Sequence, residues 1–135
     1  MIKIYLAHPG IPSIIRTAKK LQKKLEDEGF QVLNPFDYSP IEQKMKQEWD
    51  NCHKIDTAYK IFDMDLSKVN ESDIIVAYVP KVFTAGTIME MYHAFTQGKT
   101  IFVYTKIISP WLIVPSGNKV FNNFETLIGE IKKCI

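Results

Sequence analysis

Asp73-Ile-Ile-Val-Ala-Tyr-Val-Pro-Lys-Val-Phe-Thr-Ala-Gly-Thr-Ile-Met-Glu90 joins an unbroken apolar β-type run to a loop that ends in small residues and then to the start of a helix. The run does not alternate with polar residues, so it reads as a strand covered on both faces, which is the signature of a parallel sheet between helices. In such sheets a small-residue loop leading into a helix N-terminus is where anionic or polar ligands are held. Gly86 and Thr87 let a ligand approach the backbone closely, and Glu90 follows them at the beginning of the helix. An acid there also suits the helix dipole. Its placement beside the small-residue turn makes it the first candidate for chemistry.

Outward from this stretch the chain keeps the same grammar. Residues 2–7 form an apolar run closed by His8-Pro9-Gly10. Residues 13–28 place Ile14, Ile15, Ala18, Leu21 and Leu25 at helical spacing, with Gly29 as the stop. A short strand at 30–33 ends at Asn34-Pro35. Residues 36–58 are polar, read as a loop with one or two helical pieces, and have the length of a substrate lid. Helices follow at 59–70 and about 87–97, a strand at 100–104, a loop at 109–118 rich in proline and glycine, and a closing helix at 124–135. The order implies one α/β domain over residues 1–135. Its doubly wound, flavodoxin- or Rossmann-like parallel sheet would have about four or five strands with helices on both faces. The turns after the strands, at His8-Pro9-Gly10, Asn34-Pro35-Phe36, 78–87 and 104–111, are then expected to converge on one ligand site.

Composition narrows the partners. Hydrophobic residues make up 46% and charged residues 24%, ordinary values for a globular protein, and the net charge is only +2. Lysines and arginines cluster at 16–24 and 132–133, on what read as solvated helix faces, so no nucleic-acid partner is expected. Arg16 and Lys19 belong to this face. No apolar run approaches the ~20 residues of a membrane span, and the N-terminus reads as a strand rather than a signal peptide. Cys52 and Cys134 have neither CxxC spacing nor a histidine at ligand spacing, which fits free thiols in the cytoplasm and gives no metal site.

Three further acids stand beside Glu90 as candidates. On a helix, Asp65 shares a face with Ile61, Phe62 and Val69, where an acid is costly unless it has partners or a task. Asp63 points elsewhere, toward solvent. Ser72-Asp73 before a strand reads as a structural turn pair. Trp49 and Trp111 are suited to stacking on a base or to core packing. His8 either contacts a ligand or caps its turn.

The ordered set Asp65, Ser72-Asp73-Ile-Ile-Val-Ala, Gly86-Thr87-x-x-Glu90, Ala94 and Gly98-Lys99, with the opening Ile4-Tyr5-Leu6-Ala7, resembles the nucleoside 2-deoxyribosyltransferase family, including its branch of 2′-deoxynucleoside 5′-monophosphate N-hydrolases. The likeness runs over residues 2–10 and 59–112. It implies cleavage of an N-glycosidic bond through a covalent glycosyl–Glu90 intermediate, with the sugar passed to water or another base and no metal or organic cofactor. Carried over by position, Glu90 is the nucleophile, Asp65 the proton donor or base-binding carboxylate, and Tyr5 the hydroxyl that orients Glu90. His8, Thr84, Gly86, Thr87, Ser109 and Trp111 are the implied substrate contacts.

Where transferases of this kind carry an acid six residues before the nucleophile, this chain has Thr84, and the hydrolase branch has a serine. Where transferases have Asn-x-Met reaching a neighbouring subunit, it has Ser109-Pro110-Trp111. Both tilt the expectation toward a 5′-phosphorylated substrate, and the second implies a homo-oligomer, a dimer or larger. Tyr92 stands where the family has glycine and is expected to need room where helix meets sheet. A non-catalytic nucleotide-binding or sensing module on the same fold is the alternative. A flavodoxin-like carrier would need a Ser/Thr phosphate loop directly after the first strand, and a receiver domain paired acids there; the chain has neither.

Overall fold

In a computed structural model that describes residues 1–82 and 84–135, the central strands are β1 (Lys3–Ala7), β3 (Ile74–Val79) and β4 (Thr100–Thr105), flanked by β2 (Gln31–Leu33) and β5 (Val120–Phe121). All pair in parallel in the order β2-β1-β3-β4-β5. The helices among the described residues are α1 (Pro12–Asp27), α2 (Pro40–Cys52), α3 (Ile55–Glu71), α4 (Ala85–Thr96), α5 (Pro110–Ser116) and α6 (Phe124–Lys133). The expected doubly wound parallel architecture is therefore present. Position 83, inside the ligand loop expected at 78–87, lies outside the described residues.

Strand periodicity sorts the core into two layers. Ile4, Leu6, Ile74, Val76 and Phe102 point to one face, where α1 and α6 cover them with Ala18, Leu21, Leu25, Leu127, Ile128 and Ile131. Tyr5, Ala7, Ile75, Ala77, Ile101 and Val103 point to the other, against Val69 of α3, Met91 and Ala94 of α4, and Leu112 of α5. Register ties Tyr5 to Ile75 and Ile75 to Ile101 across the central strands. The only aromatic hydroxyl in that row is Tyr5, fully buried with apolar neighbours on either side. α1 and α4 end before Gly29 and Gly98, whose φ values of +93° and +71° only glycine adopts without strain.

Chain direction explains where a site forms. From β1 the chain crosses through α1 on one face to β2 at the edge. It then returns through α2 and α3 on the opposite face to β3 on β1's other side. The carboxyl ends of β1 and β3 thus flank the topological switch point, where open α/β sheets bind ligands.

One expectation needs correction. Residues 109–118 are not an irregular loop: Ser109 caps α5, its hydroxyl accepting from the Trp111 amide at 3.3 Å, and Pro110 occupies the first turn. Proline at N1 favours a helix start rather than opposing it, and Gly117 in the left-handed region ends the helix and lets β5 form. Residues 36–58 hold two helical pieces, as expected: the 13-residue α2 and the start of α3 at Ile55. The Ser39 hydroxyl accepts from the Glu42 amide while the Glu42 carboxylate accepts from the Ser39 amide, a capping box that starts α2. The segment reads as polar because α2 has no fully buried residue.

Asp73 holds the sheet as a turn residue does: its Oδ2 accepts from the Lys3 amide at 2.8 Å, and its own amide donates to the Lys3 carbonyl. Asp63 is exposed, as are Arg16 and Lys19. Cys52 and Cys134 are exposed and free. Among the described residues no helix is long and apolar enough to cross a membrane. Asp73→Ala is expected to cost about 1 kcal/mol of unfolding free energy by removing one cross-strand hydrogen bond. Urea denaturation measures this, and an unchanged midpoint would count against the turn role.

Candidate active site

Beyond the ends of β1 and β3 lies a cleft of about 280 Å³, walled by His8, Phe36, Phe62, Asp65, Thr84, Gly86, Thr87, Met89 and Glu90 among others. Six of the sequence candidates thus meet here from three parts of the chain. Tyr5 lies beneath them, its hydroxyl donating to Oε2 of Glu90. Ser109 does not line the cleft, because its hydroxyl caps α5. Trp111 lines an adjoining apolar groove of about 520 Å³ that shares Phe62, Leu66 and Met89 with the cleft.

Glu90 lies in the second turn of α4 and not the first as expected, because the helix already begins at Ala85. It is only 8% exposed, although its helix neighbours Met89 and Tyr92 face outward. Helical spacing puts it with Thr87, Met91 and Ala94 on the inward face. Burial raises its carboxyl to about 8, against the Tyr5 hydrogen bond, with the Asp65 charge adding to the rise and Lys68 opposing it. Burial likewise raises Asp65 to about 6, opposed by Lys68 and assisted by Glu42. Tyr5 is held far above its ordinary range by burial and by the Glu90 charge, so it remains a neutral donor. Two interacting carboxyls of this kind titrate as a pair. Burial raises both, so one shared proton is favoured over two adjacent charges.

At the mouth, Thr84 is the N-cap of α4, yet its hydroxyl makes no capping bond to the helix backbone. It lies 3.0 Å from the Thr87 hydroxyl instead. A Cβ added at Gly86 would meet no protein atom within 4 Å, so the backbone there is open to an approaching group. On the opposite wall His8 is buried, with Nδ1 3.1 Å from the Pro9 carbonyl and Nε2 3.0 Å from Oδ1 of Asn34. Asn34 is itself oriented by the Phe36 amide and by Gln22. The His8 ring lies against Phe36, and burial lowers its basicity. His8 is therefore both fixed in its turn and part of the cleft wall.

Tyr92 corrects an expectation: it is 63% exposed and demands no space between helix and sheet. His93 makes a surface tie to Asn70 at 2.7 Å. Trp49 is half-buried against His53 and Trp111 is exposed, so neither is a core residue. Sequence reading did not single out Phe62, Met89 or the ion pair between Glu42 and Lys68. The Ser39-x-x-Glu42 pattern and the one-turn spacing of Lys68 from Asp65 were the available signals for that pair. Among the described residues no group of three or more histidine, cysteine, aspartate or glutamate side chains is arranged to hold a metal ion.

Fold and cleft together define an α/β protein with a carboxyl pair at the switch point of a doubly wound sheet. The family model described as nucleoside 2-deoxyribosyltransferase matches residues 4–124, and the chain belongs to that family, a family of enzymes. Among solved structures, it is similar to a 2-deoxyribosyltransferase from the psychrotolerant bacterium Bacillus psychrosaccharolyticus. That match has a TM-score of 0.69 and 18% identity over 93% of this chain and 89% of that one. It is also similar to the CMP N-glycosidase BcmB of Clostridium botulinum, with a TM-score of 0.55 and 18% identity over 96% and 98% of the two chains. At this identity the two structures support the fold. No curated protein sequence matches the chain.

The buried carboxyl has a thermodynamic signature. Its folded pKa is raised above the unfolded value, so native stability is fully present below the unfolded pKa of about 4.5 and falls as pH rises through about 8. Glu90→Gln removes that loss. The variant is expected to gain several degrees of Tm relative to the parent at pH 9 and little at pH 4.5, because a pKa raised by one pH unit corresponds to about 1.4 kcal/mol. A gap in Tm that does not widen with pH would contradict the buried-acid assignment.

Proposed function

We propose that the protein cleaves the N-glycosidic bond of a (2′-deoxy)nucleoside or its 5′-monophosphate, with Glu90 as nucleophile. The observation that carries this reading is the buried Glu90 carboxyl, bonded to the Tyr5 hydroxyl and coupled to Asp65 across a cleft open at the start of α4. A Glu90 oxygen attacks the anomeric carbon while the C–N bond breaks, and its electron pair goes to the base nitrogen. Asp65 supplies the proton that the leaving base takes up. Water or a second base then displaces Glu90 from the sugar. The chemistry parallels retaining glycoside cleavage.

The proton shared by the pair must lie on the Asp65 side when bond breaking begins. Positive charge developing on the sugar favours the Glu90 carboxylate and so drives this redistribution, giving a site better matched to the transition state than to the ground state. Tyr5 is too weak an acid to compete for the charge. It remains the donor that fixes one carboxylate oxygen and leaves the other for attack.

The leaning toward a 5′-phosphorylated substrate rests on the mouth of the cleft. Thr84 puts a neutral hydroxyl where an acid would repel phosphate, and the open backbone at Gly86 and Thr87 begins a helix whose first amides favour anions. A non-catalytic binding module would have drawn support from a displaced α4, but Tyr92 faces solvent and leaves the helix seated on the sheet. Assembly is proposed through the adjoining groove, where Phe62, Met89, Tyr92 and Trp111 leave a large apolar area exposed on one side of α3, α4 and α5.

A chromatographic screen of nucleosides and nucleoside monophosphates, with and without acceptor base, is expected to show base release faster from the monophosphate than from its nucleoside. Glu90→Ala should lower release by at least about 10³-fold. Turnover retained by that variant removes Glu90 as nucleophile, and equal rates on the two substrate classes remove the phosphate preference. By sedimentation the parent should run as a dimer or larger, and Trp111→Glu as a monomer. A monomeric parent would rule out assembly through this face.

A further inference from the structure

Lys68 stands one turn after Asp65 on α3, so the two side chains project from the same face of that helix. Its ammonium lies 2.6 Å from Oε2 of Glu42 on α2, and both side chains are mostly buried. Glu42 is fixed from its other side, because Oε1 accepts from the Ser39 amide in the capping box. The start of α2 therefore holds a carboxylate, and the carboxylate holds an ammonium beside Asp65. A second cavity, about 210 Å³, has Glu42, Tyr38 and Asp65 in its wall and shares Phe36 and Asp65 with the cleft. Asp65 thus separates the cleft from this cavity.

We propose that Lys68, anchored by Glu42, is a positioning residue that sets where the proton of the Asp65–Glu90 pair resides. As a staple alone the pair is a poor device, because burying two charges costs desolvation that an apolar contact between α2 and α3 would avoid. Its effect on the acids is specific. The Lys68 charge favours the ionised form of both Asp65 and Glu90, whereas the Glu42 charge disfavours ionisation of Asp65. The other titratable groups facing this region are Tyr5 from β1, His8 after it, Tyr38 before α2, and Lys46 and Asp50 on α2. Among them Lys68 is the cation that acts on both acids. Its charge helps Glu90 to become a carboxylate, and Glu42 moderates that charge so that Asp65 can still take up a proton.

The assignment rests on the base-releasing reading of the cleft, and its test is chosen to stand apart from it. Carbon-13 NMR titration of the carboxyls in the full-length, ligand-free protein follows Asp65 and Glu90 without turnover. Lys68→Met should move both midpoints up by about half a pH unit or more, and Glu42→Gln should move Asp65 down. Lys68→Arg should restore the parent midpoints. Opposite shifts from the two partners of one ion pair are what a staple between α2 and α3 would not produce. Shifts in the same direction, or none, overturn the proposal. Should Lys68→Met fail to fold, Glu42→Gln decides alone, and an Asp65 midpoint that stays or rises overturns it. Where the parent releases base, the acid limb of kcat/KM should follow Asp65 in each variant. Absence of base release would strike the reaction and leave the titrations to decide the role of Lys68.

Discussion

A carboxyl group buried under a parallel sheet's edge is tolerated only where something inside the protein can bond to it. Here that partner is a phenol on the neighbouring strand. The Tyr5–Glu90 hydrogen bond crosses from β1 to α4, the helix that follows β3, and so ties together the two sides of the switch point. It constrains much else. Tyr5 must point to the face of the sheet covered by α3 and α4, so Ile4 and Leu6 must point to the other, and the register with β3 cannot slip by one residue without turning the hydroxyl away. α4 must begin close enough to β1 for Glu90 to reach, which makes its first turn a wall of the cleft. Burial leaves the acid poorly solvated and raises its pKa, and the same bond only partly offsets the rise.

The two acids divide their labour through their surroundings. Glu90 has a neutral donor beneath it and apolar side chains around it. Asp65 has a cation one helical turn away and a second carboxylate held beyond that. In a low-dielectric setting such differences decide which member of a pair keeps a proton. In the proposed reaction the proton ends on the Asp65 side, and the charge that cleavage creates on the sugar supplies the means.

Much of this was legible in the sequence because the relevant signals are local. The unbroken apolar runs gave away a sheet buried on both faces, and Gly86-Thr87 marked the helix start beside the cleft. Asp65 stood out as an acid on an apolar helix face. What remained hidden depends on contacts between distant segments. Residues 109–118 hold enough proline and glycine to suggest a loop, yet Pro110 at a first turn and Gly117 at an end bound a helix. Tyr92 was expected to press on the sheet because a glycine was expected there, but its place on α4 turns it to solvent. The Glu42–Lys68 pair joins residues 26 positions apart, and no pattern within either helix names its partner.

α2 has a further consequence that concerns change over generations rather than chemistry. A helix with no fully buried residue contributes little to the stability of the fold, so most of its positions can be exchanged at small cost. Yet Glu42, Met45 and Lys46 of this helix wall the cavity beside Asp65. The part of the chain freest to vary is therefore a part that shapes one side of the site, while the strands that hold Tyr5 in place are fixed by packing. Such a division lets the wall beside Asp65 change without unsettling the sheet on which the carboxyl pair depends.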